Sequence, residues 1–201
     1  MIGTRESPRL FTIGHSNHTI DAFIAVAKAA EIEVIADVRS SPHSRFAPQF
    51  NLREFRQSLG AVGIQYVPMP ELGGRPSDPV YYDPDGHVSY ERLSSSGDFL
   101  DGIDRLNEGM VKYRVAVLCG EEDPIDCHRR LLVGRVLANR GVDIVHVRGD
   151  GRFEDEAATT AREQIEHPNR FQPSLFGRKE EEWRSIRSVS GSTAPPTSSA
   201  H

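Results

Sequence analysis

The residues best suited to chemistry lie between Cys119 and Arg129, where the chain reads Cys-Gly-Glu-Glu-Asp-Pro-Ile-Asp-Cys-His-Arg. Cys119 closes an apolar run, and Cys127 follows Asp126, a residue type that favours helix N-termini. The helix dipole and the neighbouring basic residues stabilise a thiolate at such a position. The sequence therefore predicts at least one activated cysteine that acts as a nucleophile.

Other interpretations of this segment stay open. Thiolate formation is opposed by nearby acids, which also argue against the phosphate-cradling loop of cysteine phosphatases. Both cysteines are alternatively small core residues, since free Cys is among the most buried residue types. A Cys/Cys/His metal site completed by His15 is a third interpretation, but the spacing matches no standard zinc pattern. We expect metal to be absent or weakly held. The acids are Glu121, Glu122, Asp123 and Asp126.

Polar residues also follow three other apolar runs, in the segments Gly14–Asn17, Asp37–Arg39 and Glu71–Arg75. His15 is a candidate acid/base or ligand, or a histidine that hydrogen-bonds its own loop. Asp37 and Arg39 share a face if the strand continues, either as a functional pair or as a plain salt bridge. The two glycines before Arg75 form an amide nest for a phosphate or carboxylate, or an ordinary turn.

Basic residues in these segments predict a local anion site within a chain of net charge −5. The overall negative charge excludes a protein that simply coats nucleic acid. The alternative for the cluster around Arg45 is a solvated surface. We assign anion binding to Arg39, Arg45, Arg75, His128 and Arg129.

The polar segments follow apolar runs that are nearly continuous, as in strands of a parallel sheet covered on both faces. Helical stripes alternate with the runs, and a further helix is predicted over Asp155–Glu166. The order predicts a single open, mostly parallel sheet flanked by helices, a Rossmann-like α/β fold of three layers. Ligands of such sheets bind beyond the carboxyl ends of the strands. The predicted strands are Leu10–Ile13, Val34–Val38, Val115–Leu118 and Ile144–Val147, with a weaker one at Gln65–Val67.

The chain of 201 residues has room for one domain over residues 1–168 and a disordered polar tail over 169–201. No apolar run approaches the roughly 20 residues of a membrane-spanning helix. The N-terminus lacks the apolar stretch of a signal peptide, so we expect a cytoplasmic protein without a membrane partner. Two cysteines are too few for a disulfide scaffold.

The chain resembles an uncharacterised bacterial family catalogued as domain of unknown function 488. The resemblance covers roughly residues 10–148 and implies an α/β fold with a site but no agreed reaction. After Arg75 the family usually carries an arginine-rich stretch, whereas Pro76–Ser89 is acidic and bears tyrosines here, which weakens the case for an anion contact from that loop. The motifs that carry the resemblance are Thr12–Asn17, Asp37–Arg39 with Pro42 and Arg45, Pro48–Asn51, Gly63–Tyr66, Glu71–Arg75, Cys119 with Glu121 and Pro124, Cys127–Arg129, and Gly141 with Val145 and His146.

One short motif lies in the tail, at residues 172–176. Gln172, Leu175 and Phe176 resemble the Gln-x-x-Leu-Phe peptide by which bacterial replication and repair proteins dock on the sliding clamp. An extended tail would insert two apolar anchors into a pocket. The alternative is that these apolar residues fold back onto the domain.

Three functional hypotheses follow. The first is an enzyme that acts on a nucleotide or nucleic-acid-linked substrate in DNA maintenance. The second is a non-enzymatic, DNA-associated adaptor recruited to the clamp, and the third is a thiol-based metal or redox sensor. The sequence identifies no cofactor. In the first hypothesis the nucleophile and acid/base groups are Cys119, Glu121, Cys127 and His15.

Overall fold

A mostly parallel sheet forms the centre of the molecule. The computed structural model describes residues 8–170 and 183–188. The strands are β1 (Arg9–Gly14), β2 (Val34–Asp37), β3 (Gln65–Pro68), β4 (Val115–Cys119), β5 (Asp143–Val147) and β6 (Phe153–Asp155). They form one six-stranded sheet in the order β3-β2-β4-β1-β5-β6, and only β6 is antiparallel to its neighbour. The predicted open, mostly parallel sheet is confirmed.

Hydrophobic cores cover both faces of this sheet, which is why its inner strands read as continuous apolar runs. Alternate residues of a strand face opposite sides. Val115 and Val117 of β4 therefore belong to one core, while Ala116 and Leu118 belong to the other. All five residues of β4 are buried.

Helices lie on both sides of the sheet. Phe23 of the first helix and Phe55 of the second pack in one core, and Phe99 and Ile103 of the fourth pack in the other. The predicted helix at Asp155 begins one residue later, because the Asp155 carboxylate accepts a hydrogen bond from the Ala158 amide as the N-cap. The helices are α1 (Ile20–Ala29), α2 (Leu52–Ala61), α3 (Tyr90–Ser94), α4 (Gly97–Lys112), α5 (Arg135–Asn139) and α6 (Glu156–Glu166).

The strand register brings the polar segments to one edge of the sheet. Gly14 of β1 lies opposite Cys119 of β4, and Asp37 of β2 lies opposite both Leu118 and Pro68. The carboxyl ends of four neighbouring strands therefore meet. Any site built from the loops that follow them lies at this edge.

Residues 183–188, which we call the strap, pack beside α3. The Trp183 indole nitrogen donates a hydrogen bond to the Leu131 carbonyl at 2.7 Å, and the Ser185 amide donates to the Val88 carbonyl at 2.9 Å. The strap lies within the stretch that the sequence analysis assigns to the tail. It brings three residues of that stretch to the carboxyl edge of the sheet.

Throughout residues 8–170 and 183–188, no helix has the length and apolar character needed to cross a membrane.

Candidate active site

A cleft of about 470 Å³ opens at the carboxyl edge of the sheet. Cys119 at the end of β4 and His128 line it, together with Arg75, Tyr90 and Glu121. The strap contributes further residues to the wall. The cleft thus joins loops from separate strands, as expected for an open parallel sheet.

Cys119 and His128 form the chemical centre of this cleft. The Cys119 Sγ lies 3.5 Å from the His128 Nδ1. On the other side of the ring, Nε2 donates a hydrogen bond to the Val38 carbonyl at 2.9 Å. That bond keeps a proton on Nε2 and leaves Nδ1 facing the sulfur. A proton can therefore pass between the thiol and the ring, which is the geometry of an activated cysteine nucleophile.

Cys127 completes the cluster. Its sulfur, the Cys119 sulfur and a His128 nitrogen all lie within 4.8 Å of one another. A hydrogen bond from the Cys127 thiol, and then the charges of His128 and Arg129, lower the pKa of Cys119 well below its ordinary value, although burial opposes them. Burial and the adjacent Cys119 thiolate raise the pKa of Cys127. Of the two thiols, Cys119 is therefore the one that loses its proton first.

His128 carries the compensating charge. Burial alone would lower its pKa, but the charge of the Cys119 thiolate and the hydrogen bond between them outweigh burial and raise it. The charged forms of the two groups, a Cys119 thiolate and a His128 imidazolium, thus stabilise each other.

The start of the helix after the loop positions this pair. The Cys127 carbonyl accepts hydrogen bonds from the Arg130 and Leu131 amides at 3.0 Å, so Cys127 stands at the helix N-terminus. The first turns, Arg129–Gly134, are π-helical, a form that is common near functional sites. The expected Asp126 cap is wrong, because that carboxylate instead pairs with Arg170 at 2.9 Å.

Gly74 lies against the face of the His128 ring. A Cβ at Gly74 would lie 2.6 Å from the His128 Cγ, closer than real Cβ atoms approach. The ring can occupy its position only because this residue is glycine. The Arg75 amide donates to the Ser40 hydroxyl at 2.9 Å and is therefore not free for the anion nest considered above. The Arg75 side chain is exposed and forms no ion pair with any described residue.

Arg39 is held by protein partners. Its guanidinium donates three hydrogen bonds to the Asp37 carboxylate, at 2.9, 3.1 and 2.6 Å, and one to the Phe50 carbonyl at 2.8 Å. The Tyr66 hydroxyl donates to the same carboxylate at 2.6 Å. Both members of the Asp37–Arg39 pair are buried. These contacts favour a structural role for Arg39 rather than the anion contact assigned from sequence.

His15 lies behind the cleft wall. Its Nδ1 donates to the Ser16 carbonyl at 2.7 Å, and its Nε2 accepts from Arg39 at 3.1 Å. Burial, followed by the charge of Arg39, lowers its pKa, and its ring stacks on Phe50 at 4.4 Å between centroids. His15 is neutral with both nitrogens engaged, an arrangement that favours orienting Arg39 over acid/base chemistry.

Arg129 is entirely buried and lies against the loop that follows β4. It donates hydrogen bonds to the backbone carbonyls of Glu121 and Glu122 and to the Thr12 hydroxyl. No carboxylate among the described residues neutralises it. Its charge instead lies close enough to Cys119 to lower the pKa of that thiol. Arg129 thus fixes the loop and favours the thiolate, which differs from direct anion binding.

Tyr90 lines the cleft beside Cys119, and the sequence analysis assigns it no role in the site. Burial and the charges of Cys127, Glu121 and Cys119 raise its pKa, so it stays a neutral hydrogen-bond donor. No periodicity or motif marks such a residue, because its place depends on α3 packing against the cleft.

Of the remaining assigned residues, the structure describes only Arg45. Arg45 is exposed on the loop between β2 and α2 and does not line the cleft. Gln172, Leu175 and Phe176 lie outside the described residues, so docking on a sliding clamp stays a prediction.

Comparison with protein families matches residues 19–136 to the family described as domain of unknown function DUF488. The matched stretch covers more than half of the chain and includes both cysteines, Arg75 and His128. No curated protein and no solved structure gives a match.

Proposed function

The chain belongs to the DUF488 family, and from that premise we propose that it is an enzyme whose Cys119 thiolate attacks a nucleotide or nucleic-acid-linked substrate in DNA maintenance. The observation that supports the proposal best is the Cys119–His128 pair, with sulfur and Nδ1 3.5 Å apart at the base of an open cleft. A merely structural cysteine needs neither a charged partner nor a cleft.

The reaction takes two steps. The Cys119 sulfur donates an electron pair to an electrophilic centre of the substrate, forming a bond to sulfur while the bond to the leaving group breaks. The leaving group departs with that bonding pair and takes the Nδ1 proton of His128. Water then attacks the same centre, its proton passes to Nδ1, and the Cys119 thiolate is released.

Two solvent-accessible groups at the cleft could serve the proposed reaction, one by binding an anion and one by orienting water. The Arg75 guanidinium has no ion pair with a described residue, so it is available to a phosphate or carboxylate. Glu121 lies at the opening with its side chain 43% exposed and 3.8 Å from Arg187. Glu121 is therefore placed to orient the attacking water.

An anionic alkylating reagent tests this site without knowledge of the substrate. We expect iodoacetate to modify Cys119 faster, relative to neutral iodoacetamide, in the wild type than in Arg75→Gln. A threefold to tenfold loss of that preference corresponds to about 1 kcal/mol of screened attraction. The matched control is Arg140→Gln, an exposed arginine paired with Asp104 outside the cleft lining. An equal ratio of the iodoacetate rate to the iodoacetamide rate in all three proteins would contradict an anion site at Arg75.

The covalent step has its own test. Single-stranded oligonucleotides and nucleotides are incubated with the wild type and with Cys119→Ser, and intact masses are compared after acid quenching. We expect an adduct on Cys119 in the wild type and none in the variant. Adducts on both proteins, or a substrate consumed at the same rate by both, would contradict a Cys119 nucleophile.

A soft-metal centre is the second candidate function, and the cluster geometry favours it. Three donors lie within 4.8 Å of one another, and the outer nitrogen of His128 donates to a backbone carbonyl as in many metal sites. Cys119, Cys127 and His128 fit zinc with one open position. The thiol-based metal or redox sensor, the third hypothesis from the sequence, would use this cluster.

Cys127→Ser separates the two functions. A metal centre loses its metal in Cys119→Ser and in Cys127→Ser alike, as measured by elemental analysis of the purified proteins. A nucleophile keeps most of its alkylation rate in Cys127→Ser, because the serine hydroxyl still donates a hydrogen bond to the Cys119 sulfur. Stoichiometric zinc lost in both variants would replace the nucleophile proposal.

The adaptor hypothesis depends on the tail. Leu175→Ala with Phe176→Ala should abolish binding of the full chain to a sliding clamp, with little change in melting temperature. A clear drop in melting temperature, without clamp binding by the wild type, would support folding back onto the domain. Binding by the wild type would add support for a role in DNA maintenance.

A further inference from the structure

The loop between β2 and α2 presents an aromatic ring to solvent. Phe46 is 91% exposed, more than any other large apolar side chain among the described residues. Its neighbours are not loose, because Ala47 and Phe50 are buried. A single exposed apolar residue is ordinary on a protein surface, so the groups around this ring decide whether it has a ligand.

The backbone around Phe46 is fixed by local hydrogen bonds. The Ser44 amide donates to the Asn51 side-chain oxygen at 2.7 Å, and the Phe46 amide donates to the Ser44 hydroxyl at 3.1 Å. The Leu52 amide donates to the Pro42 carbonyl at 3.0 Å, which ties the loop to α2. The ring is thus held outward before any ligand arrives, and such preorganisation lowers the entropic cost of binding.

The surroundings of the ring are basic. The stretch from Val38 to Pro70 contains four arginines and one acid, Glu54, within an acidic protein. Arg45 and Arg53 are exposed and form no ion pair with any described residue. An exposed ring with one exposed arginine next to it in the chain, Arg45, and a second in the following helix, Arg53, suits a ligand that is both flat and anionic. Unpaired nucleic acid has this chemistry, since bases stack on aromatic rings while phosphates bind arginine.

The loop also joins the ring to the cleft. Ser40 and Ser41, at its start, line the same cleft as Cys119. Phe46 follows Ser41 by five positions, a span of at most about 18 Å. A strand of a few nucleotides can cover that distance.

We infer that the surface formed by Arg45, Phe46 and Arg53 binds an unpaired nucleic-acid strand, with a base stacked on Phe46 and a neighbouring nucleotide directed into the cleft. This inference rests on the proposed function and selects a single strand, rather than a free nucleotide, as its substrate class. Arg45, which does not line the cleft, contacts backbone phosphate in this arrangement.

Fluorescence anisotropy with a labelled ten-nucleotide single strand tests the inference on the full chain. We expect Phe46→Ala to weaken binding between about fivefold and 150-fold, and Phe46→Trp to retain it. Arg45→Gln should reduce the slope of the logarithm of affinity against the logarithm of salt concentration by about 0.7. The controls are Val111→Ala, an 85% exposed apolar residue at the end of α4, and Arg140→Gln.

Other outcomes of the binding experiment would assign a different ligand to this surface. Equal affinity for a mononucleotide and the ten-nucleotide strand, or unchanged binding in Phe46→Ala, would overturn the inference. Binding to anionic phospholipid vesicles but not to the strand would assign the surface to a membrane instead. Cys119→Ser should bind the strand as the wild type does. Strand binding without any Cys119 adduct therefore means that the proposed chemistry fails while the binding surface stands.

Discussion

The loop Gly120–Cys127 separates two charged regions that differ in how completely their charges are paired. On one side lies an ion-pair cluster formed by Glu122, Asp123, Arg148, Glu154 and Arg162. Arg148 pairs with Glu122 at 2.9 Å and with Glu154 at 2.6 Å, and Arg162 pairs with Asp123 at 2.8 Å. Hydrogen bonds from Arg162 and the Ile125 amide, together with both arginine charges, lower the pKa of Asp123 to about 2, although burial opposes them.

On the other side lies the cleft, where charges are left available. Arg75 reaches solvent without an ion pair to any described residue, and Glu121 is paired with Arg187 at a long distance of 3.8 Å. The Cys119 sulfur lies beside the His128 ring and the Cys127 thiol. A fully paired network holds the loop in place, while the sparsely paired side keeps Arg75 available to a ligand. Residue type alone therefore does not distinguish a structural arginine from one that binds a ligand.

The largest effect should come from Arg129, because it holds the loop between the two regions. Arg129→Met leaves the carbonyls of Glu121 and Glu122 without their donor, and each unsatisfied buried group costs about 1–3 kcal/mol. We expect urea unfolding to show that the free energy of unfolding falls by about 3 kcal/mol or more. A loss below about 0.5 kcal/mol, as expected for the exposed control Arg140→Met, would show that the loop holds without it.

Gly74→Ala should disturb the cleft while sparing the ion-pair cluster. Its Cβ would displace the His128 ring from Cys119, and overpacking of this kind costs about 1–3 kcal/mol. We expect iodoacetamide to modify Cys119 at least tenfold more slowly at neutral pH. Gly60→Ala is the matched control, because no atom lies within 4 Å of its added Cβ. An unchanged rate in Gly74→Ala would show that His128 does not activate the thiol.

Arg162→Met should disturb the ion-pair cluster while sparing the cleft, with a smaller effect on stability than Gly74→Ala. The folded-state pKa of Asp123 lies below its ordinary value, so its contribution to stability is present above pH of about 4 and is lost as the pH falls towards 2. Solvent screens this partly exposed pair, so we expect a loss of only about 1 kcal/mol at pH 7. The difference in the free energy of unfolding between Arg162→Met and the wild type should decrease on acidification, as measured by urea unfolding between about pH 7 and pH 3. A Cys119 alkylation rate that also falls would show that the two regions are coupled.

The sheet could be predicted from sequence because its inner strands are buried on both faces. Val115–Leu118 is apolar throughout for that reason, and the loops after such strands were expected to meet. By contrast, β6 has only three residues, two of them exposed, and gives no such pattern. The strap escaped prediction because it lies in a polar stretch and is held by bonds to residues distant in sequence, among them the Trp183 indole to Leu131 and the Ser185 amide to Val88.

The site could be predicted only as a set of residue types. Cys119, His128 and Arg75 meet in one cleft, as their positions after strands indicated. The roles of Arg39 and Arg129 could not be read, because both bind partners distant in sequence: Phe50 for one and Thr12 for the other. Gly74 likewise depends on a ring that the chain reaches 54 residues later.

The pH dependence of Cys119 alkylation tests the central claim most directly. Iodoacetamide rates are measured from acid to alkaline pH, and the modified peptide is identified by mass spectrometry. The thiolate–imidazolium pair predicts that the wild type at pH 7 reacts near its alkaline plateau, and that His128→Asn lowers this rate markedly. An ordinary thiol of pKa about 8.5 reacts at pH 7 at roughly 3% of its plateau. That ordinary profile in the wild type, unchanged by His128→Asn, would contradict the account.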